Sequence, residues 1–165
     1  MNEKLEKEEF AMAKSLEERI KVLEDIEEIK KVKKTNCYCC DEKNLEGVMG
    51  IFAKECTADY GPFGKCNTRK EVRTFFENIY KTLPFFIHMI TNDMIEVKGD
   101  KANAKWYFNV PSTHQPTNQA IWILGTYDED YVREDGKWKC SRMDCIFHYV
   151  TPYDQGWVKK KMLGK

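Results

Sequence analysis

Only five prolines and nine glycines occur in 165 residues, and neither type appears before Gly47. Nothing in the first forty residues therefore breaks a helix. Long apolar runs are also missing. The longest, Ala120 to Leu124, spans five residues, against roughly 20 for a membrane-crossing helix, so no membrane partner is expected. The first residues are charged and carry no apolar stretch, so no secretory signal is expected either. The 27 basic and 27 acidic side chains cancel, which gives no support for a nucleic-acid surface. The sequence reads as one cytoplasmic domain, long enough to bury a substantial core.

Cysteine, in contrast, is plentiful: Cys37, Cys39, Cys40, Cys56, Cys66, Cys140 and Cys145. Reduced and small, these side chains suit a core. Zinc sites pair two cysteine or histidine units. Here His88, His114 and His148 stand alone, so neither a metal nor another cofactor is expected. The Cys37 to Cys40 spacing follows a helix rather than a strand, which argues against a redox role.

Leu16, Ile20, Leu23, Ile26, Ile29 and Val32 recur at three and four residues, which predicts one apolar stripe on a long helix reaching about Cys40. A short helix is expected from about Asn44 to Lys54, and a loop around Gly61 and Pro62. Thr68 and Glu71 read as a capping box opening a third helix through Tyr80. The period then changes to two. Phe85–Val97 and Ala102–Val110 flank one turn, Pro111–Asn118 reads as a loop, and Gln119–Arg133 and Lys137–Val150 flank an Asp135-Gly136 turn. Three helices and four long antiparallel strands predict an α+β fold: a cone-shaped curved sheet wrapped around the N-terminal helix. Residues 1–15 are expected to be a helical extension, 16–152 the domain and 153–165 a tail.

Strand alternation places Phe86, His88 and Ile90 on one face, Trp106, Phe108 and Val110 on another, and Ile123, Gly125 and Tyr127 on a third. A single histidine on an apolar, aromatic face reads, from pattern alone, as a hydrogen-bonded core residue. Arg142 and Asp144 alternate on the last strand and can pair. Met143 on its opposite face can line a cavity, and Trp138 reads as a hairpin anchor.

Several segments together resemble the SnoaL-like, nuclear-transport-factor-like superfamily. They are the charged helix from Asp25 through Asp41, His88-Met89, Trp106-Tyr107-Phe108, Gly125-Thr126-Tyr127, and the hairpin from Tyr131 through Gly136 to Trp138. The likeness runs from about Leu16 to Val150 and is nearest to the branch with bile-acid 7α-dehydratase, scytalone dehydratase and hexachlorocyclohexane dehydrochlorinase. It implies a cystatin-like α+β barrel and a catalytic pair, Asp41 and His88, in which the carboxylate orients an imidazole that takes a proton from carbon. Imidazole titrates near neutrality, as a base there must.

Two positions depart from that branch. Asn36 stands where the bile-acid enzyme carries a tyrosine, and Val110 where it carries a second aspartate. Asn36, Trp106, Phe108, Val110, Ile123, Tyr127 and Met143 are the expected substrate-binding residues. The resemblance implies a cofactor-independent lyase, a dehydratase or dehydrohalogenase, acting on a small hydrophobic cyclic molecule. An isomerase of the ketosteroid type uses the same proton chemistry. A non-catalytic binding or assembly subunit is the alternative from another class. A homo-oligomer is expected, a trimer first and a dimer next, through outward apolar residues such as Trp122, Leu124 and Ile146.

Overall fold

The computed structural model describes residues 15–163, so the extension expected over residues 1–15 lies almost wholly outside them. Helix α1 (Leu16–Asp41) opens on a capping box: the Ser15 hydroxyl accepts from the Glu18 amide, and the Glu18 carboxylate accepts from the Ser15 amide at 2.8 Å. It ends as Lys43 turns to φ 56°, with the Lys43 and Asn44 amides donating to Cys40 and Cys39 carbonyls.

The expected apolar stripe is divided. Leu16 and Leu23 are 66% and 62% exposed, whereas the buried face of α1 carries Asp25, Ile29, Lys33, Asn36, Cys37, Cys39 and Cys40. The face that meets the sheet therefore mixes three polar side chains, Asp25, Lys33 and Asn36, with Ile29 and three cysteines.

Helix α2 (Leu45–Ile51) stops earlier than expected. Strand β1 (Phe52–Asp59) follows without a loop. The Arg69 guanidinium donates to the carbonyls of Met49, Phe52 and Ala53 at this junction, satisfying acceptors that a longer helix would have used. After β2 (Lys65–Cys66), α3 (Arg69–Thr82) starts at Thr68, whose hydroxyl accepts from the Glu71 amide.

The remaining strands are β3 (Phe85–Phe86), β4 (Met89–Lys98), β5 (Lys101–His114), β6 (Gln119–Glu134) and β7 (Lys137–Pro152), followed by a short α4 (Gly156–Lys159). The sheet runs β2-β1-β7-β6-β5-β3, with β4 also on β5. The architecture is the expected α+β one, but β1 and β2 stand between helices and the strand expected over Phe85–Val97 is divided into β3 and β4. β1 pairs with β7 in parallel, so the sheet is mixed rather than purely antiparallel. Pro111 to His114 continues β5, and only Gln115–Thr117 forms a 3₁₀ turn. The loop expected over Pro111–Asn118 is shorter because Ser112 and Thr113 pair with Ile121 and Ala120.

The sheet curls around α1, and the two together enclose the core. Its fully buried members include Ile29, Val48, Val72, Tyr131, Trp138 and Cys140. Trp138 anchors the β6–β7 hairpin against α1, donating its indole N–H to Asp25 at 3.2 Å. Gly125 permits a close crossing. A Cβ there would lie 2.3 Å from the Ile146 carbonyl oxygen and 2.6 Å from the Phe108 ring.

Candidate active site

His88 sits in the interruption between β3 and β4, not inside a continuous strand as its alternation suggested. Its backbone amide consequently has no ladder partner and donates to both Asp41 carboxylate oxygens at 3.1 Å. The ring turns to the same carboxylate, with Nδ1 2.6 Å from Oδ1. A carboxylate only accepts, so Nδ1 carries the proton, and in the neutral ring the lone pair lies on Nε2. The partner thus fixes the tautomer.

Two devices hold this pair. Asp41 is the last residue of α1, where the helix dipole opposes a carboxylate but favours an imidazolium beside it. The Lys43 ammonium donates to the Pro84 carbonyl at 2.5 Å, tying the end of α1 to the segment that carries His88. Both side chains are only about one-sixth exposed, 16% for His88 and 14% for Asp41, so the contact is largely shielded from water. Phe86 packs edge-on against the imidazole.

His88 opens onto a cavity between α1, α3 and the inner face of the sheet. Its walls are mostly aromatic, from Tyr60, Phe63, Phe75, Phe76, Phe86, Phe108, Tyr127 and Phe147. The free space is about 90 Å³, small beside the roughly 300–1,000 Å³ usual for ligand sites. Only a compact molecule enters without movement of the walls. Polar groups are few: Asn36, the hydroxyls of Tyr60 and Tyr127, and the thiols of Cys40 and Cys145.

Burial sets the protonation of these groups. It pushes the Tyr60 and Tyr127 hydroxyls well above the usual tyrosine range, so both stay protonated at neutral pH and can donate. It also pushes the Cys40 and Cys145 thiols up, and Cys37 beneath them up to about 11. None of these thiols is a ready nucleophile. The Tyr60 hydroxyl is buried without any hydrogen-bond partner among the described residues. An unpaired donor in a cavity wall is costly unless a ligand meets it.

The expected residues separate into three places. Asp41 and His88 are in contact. Asn36, Phe108, Val110, Ile123, Tyr127 and Met143 line the same cavity. Trp106 does not: it is buried on β5 next to this wall, outside the cavity lining. Tyr38, two residues beyond Asn36, points to solvent with 69% exposure. His114 bonds to Thr117 near the end of β5, and His148 stacks on Tyr107 on the outer sheet face. Among the described residues no group of three or more His, Cys, Asp or Glu side chains is arranged to hold a metal.

Sequence reasoning misses Tyr60 because it falls in the loop around Gly61 and Pro62, and only the placement of β1, which ends at Asp59, brings it to the cavity. It also misses the α3 residues Phe75, Phe76 and Ile79, whose spacing is that of any packed helix. Below the Tyr127 ring lies a further unforeseen feature. Lys33 and Glu129, 1% and 0% exposed, meet at 2.5 Å. The Lys33 ammonium also stands 3.2 Å from the centroid of the Tyr127 ring, and the Tyr131 hydroxyl donates to Glu129 at 2.7 Å. Burial is the strongest single influence and opposes the lysine's charge, but Glu129, by charge and hydrogen bond, together with Cys37 and Cys145 holds the ammonium above the usual lysine range.

Comparison with known proteins agrees with this architecture. A crystal structure of a LinA-type hexachlorocyclohexane dehydrochlorinase from Novosphingobium barchaimii superposes with a TM-score of 0.75. It covers 81% of this chain and 93% of that one, at 23% identity. A scytalone dehydratase-like protein from Novosphingobium aromaticivorans gives 0.73 over 87% of this chain and 95% of that one, at 20% identity. In sequence, hexachlorocyclohexane dehydrochlorinase 1 of Sphingobium indicum is 36% identical over 67 residues, which is 40% of this chain and 44% of that enzyme. The pattern of the SnoaL-like domain matches residues 21–144. The chain belongs to the SnoaL-like domain family.

Proposed function

We propose that this SnoaL-like protein is a cofactor-independent lyase that removes a carbon-bound proton from a compact hydrophobic cyclic substrate. The observation that carries the reading is the His88–Asp41 contact at 2.6 Å on the wall of an aromatic cavity. In the step, the Nε2 lone pair of His88 takes the proton. The electrons of the broken C–H bond form a carbon–carbon double bond, and the neighbouring substituent, hydroxide or halide, departs with its bonding pair. Asp41 stabilises the imidazolium that forms. Tyr60 and Asn36 offer hydrogen bonds to an oxygen or halogen of the substrate, the task for which the sequence presented only Asn36. The aromatic walls orient the ring by burial and shape.

The test is a turnover screen of the purified protein against halogenated rings, hydroxylated steroids and aromatic polyketides, reading halide release or the absorbance of the new double bond. The expected result is elimination by the wild type and near-background turnover by His88→Gln with an unchanged melt. Wild-type turnover by that variant would overturn the mechanism and leave a binding module in its place. Self-association belongs to the same reading. Ile146 is half-exposed on the outer sheet face beside Leu124, and burial of this face favours an oligomer, a trimer first. Light scattering that shows a monomer at micromolar concentration would remove that part.

A further inference from the structure

Asp25, Lys33 and Asp41 are spaced eight residues apart along α1, about 2.2 turns and 12 Å of rise for each step. Each makes a directional polar contact with the surrounding sheet or its connections. Asp25 meets Arg133 and Trp138, Lys33 meets Glu129, and Asp41 meets His88. Eight residues exceed two full turns by roughly 80°, so the line of contacts winds around the helix. The curled sheet winds with it.

Apolar contacts are non-directional and specify a helix's register less sharply than a directional polar contact does. This one has few aliphatic side chains in its buried face, Ile29 being the one fully enclosed. A slip of one turn would carry Asp41 about 5.4 Å along the axis, twice the length of its contact with His88. The middle contact is also the most enclosed, and it touches the cavity wall through Tyr127. Its net worth to stability is small, because removing two charges from water offsets most of their attraction.

We propose that Lys33 and Glu129 are positioning residues. Their buried pair, with Tyr131, fixes the register of α1 on β6 and thereby holds Asp41 against His88 and the Tyr127 ring in the cavity wall. The inference rests on the reading of Asp41 and His88 as the proton-transferring pair. It assigns the ion pair a geometric role, distinct from binding or chemistry.

The test removes every member of the buried cluster together, as Lys33→Met/Glu129→Leu/Tyr131→Phe, so that no charge or hydroxyl is left unpaired. Two quantities are read in the full chain: the thermal midpoint, and the proton resonance of the His88 Nδ1–H, assigned by its disappearance in Asp41→Asn. The expected result is a midpoint within roughly 4 °C of wild type, corresponding to about 1 kcal/mol or less for a chain of this size. The Nδ1 proton signal should be lost or moved upfield as the contact with Asp41 loosens. A folded triple variant that keeps the wild-type resonance would overturn the proposal. So would a variant that fails to fold or melts far below wild type, since the cluster would then be a stabilising element. Neither readout needs a substrate, so failure here leaves the lyase reading standing, and failure of the turnover screen leaves the register claim standing.

Discussion

The two ends of α1 spend their polar groups differently. Near its start, Asp25 accepts from the Trp138 indole and is paired with Arg133, whose guanidinium also lies over the Trp138 ring. One step further, Lys33, Glu129 and Tyr131 satisfy one another in full burial. At the far end, Asp41 is satisfied but its partner is not: Nε2 of His88 has no partner among the described residues, and His88, Asn36 and Tyr60 line a cavity. Saturated contacts fix geometry, while unsaturated ones remain available to a ligand. The same helix does both, and the difference lies in whether the sheet or open space stands opposite.

The largest effect should come from breaking the open end. His88→Gln and Asp41→Asn should each lower turnover by about 10² to 10⁴-fold, the usual contribution of a positioned acid or base, with little change in the melt. Steady-state rates with the substrate found by screening check this. The double variant should lose scarcely more than either single one, because both residues serve one proton transfer.

Breaking the saturated end should move stability instead. Glu129→Ala leaves the Lys33 ammonium buried and unpaired, a change that costs about 3–5 kcal/mol in comparable sites. Chemical denaturation would measure it. The contrast with the triple apolar replacement is the informative part, since there no charge remains to be stranded.

A smaller effect concerns a buried thiol of α1 that lies outside the cavity lining. With Cys37 pushed up to about 11 by burial, its thiolate fraction at pH 8 is about 10⁻³, roughly a hundredfold or more below that of a free cysteine. Alkylation by iodoacetamide, followed by mass spectrometry, should be correspondingly slow in the folded protein. It should quicken about tenfold per pH unit as the thiol deprotonates towards pH 11. Labelling of Cys37 at the rate of a free thiol near pH 8 would contradict the enclosed site.

The smallest effect separates binding from folding at one atom. Tyr60→Phe removes a hydroxyl that has no partner among the described residues, so the melt should hold or rise. Turnover should fall about tenfold, equivalent to about 1.4 kcal/mol, if that hydroxyl meets the substrate. An unchanged rate would take Tyr60 out of the proposed chemistry.

Much of the fold was legible because local rules decide it. The turns at Lys98–Lys101 and Glu134–Gly136 and the Thr68 cap lie where their chemistry indicates, although the Glu71 carboxylate accepts from the Asn67 amide and the capping box expected there is only half formed. β1 was not legible. Its partner β7 pairs with it in parallel from some 85 residues away, with Thr57 opposite Arg142, and no turn between them announces the pairing. Lys33 was hidden for a different reason. It stands among Lys30, Lys31 and Lys34, in a run that reads as a solvated face. Exposure of the neighbours and burial of Lys33 differ only by angle around the helix.

By itself, the sequence determined the long N-terminal helix and the two C-terminal hairpins, through its change of period and turn residues, and supplied an aspartate at a helix end and a histidine in an aromatic segment. Tertiary structure decided which charges are buried, that the β3–β4 break frees the His88 amide for Asp41, and that Tyr60 lines the cavity with its hydroxyl unpaired among the described residues. The reason is physical. Periodicity and capping act within a few residues, whereas burial, desolvation and the pairing of a distant carboxylate depend on what the closed sheet places opposite each side chain.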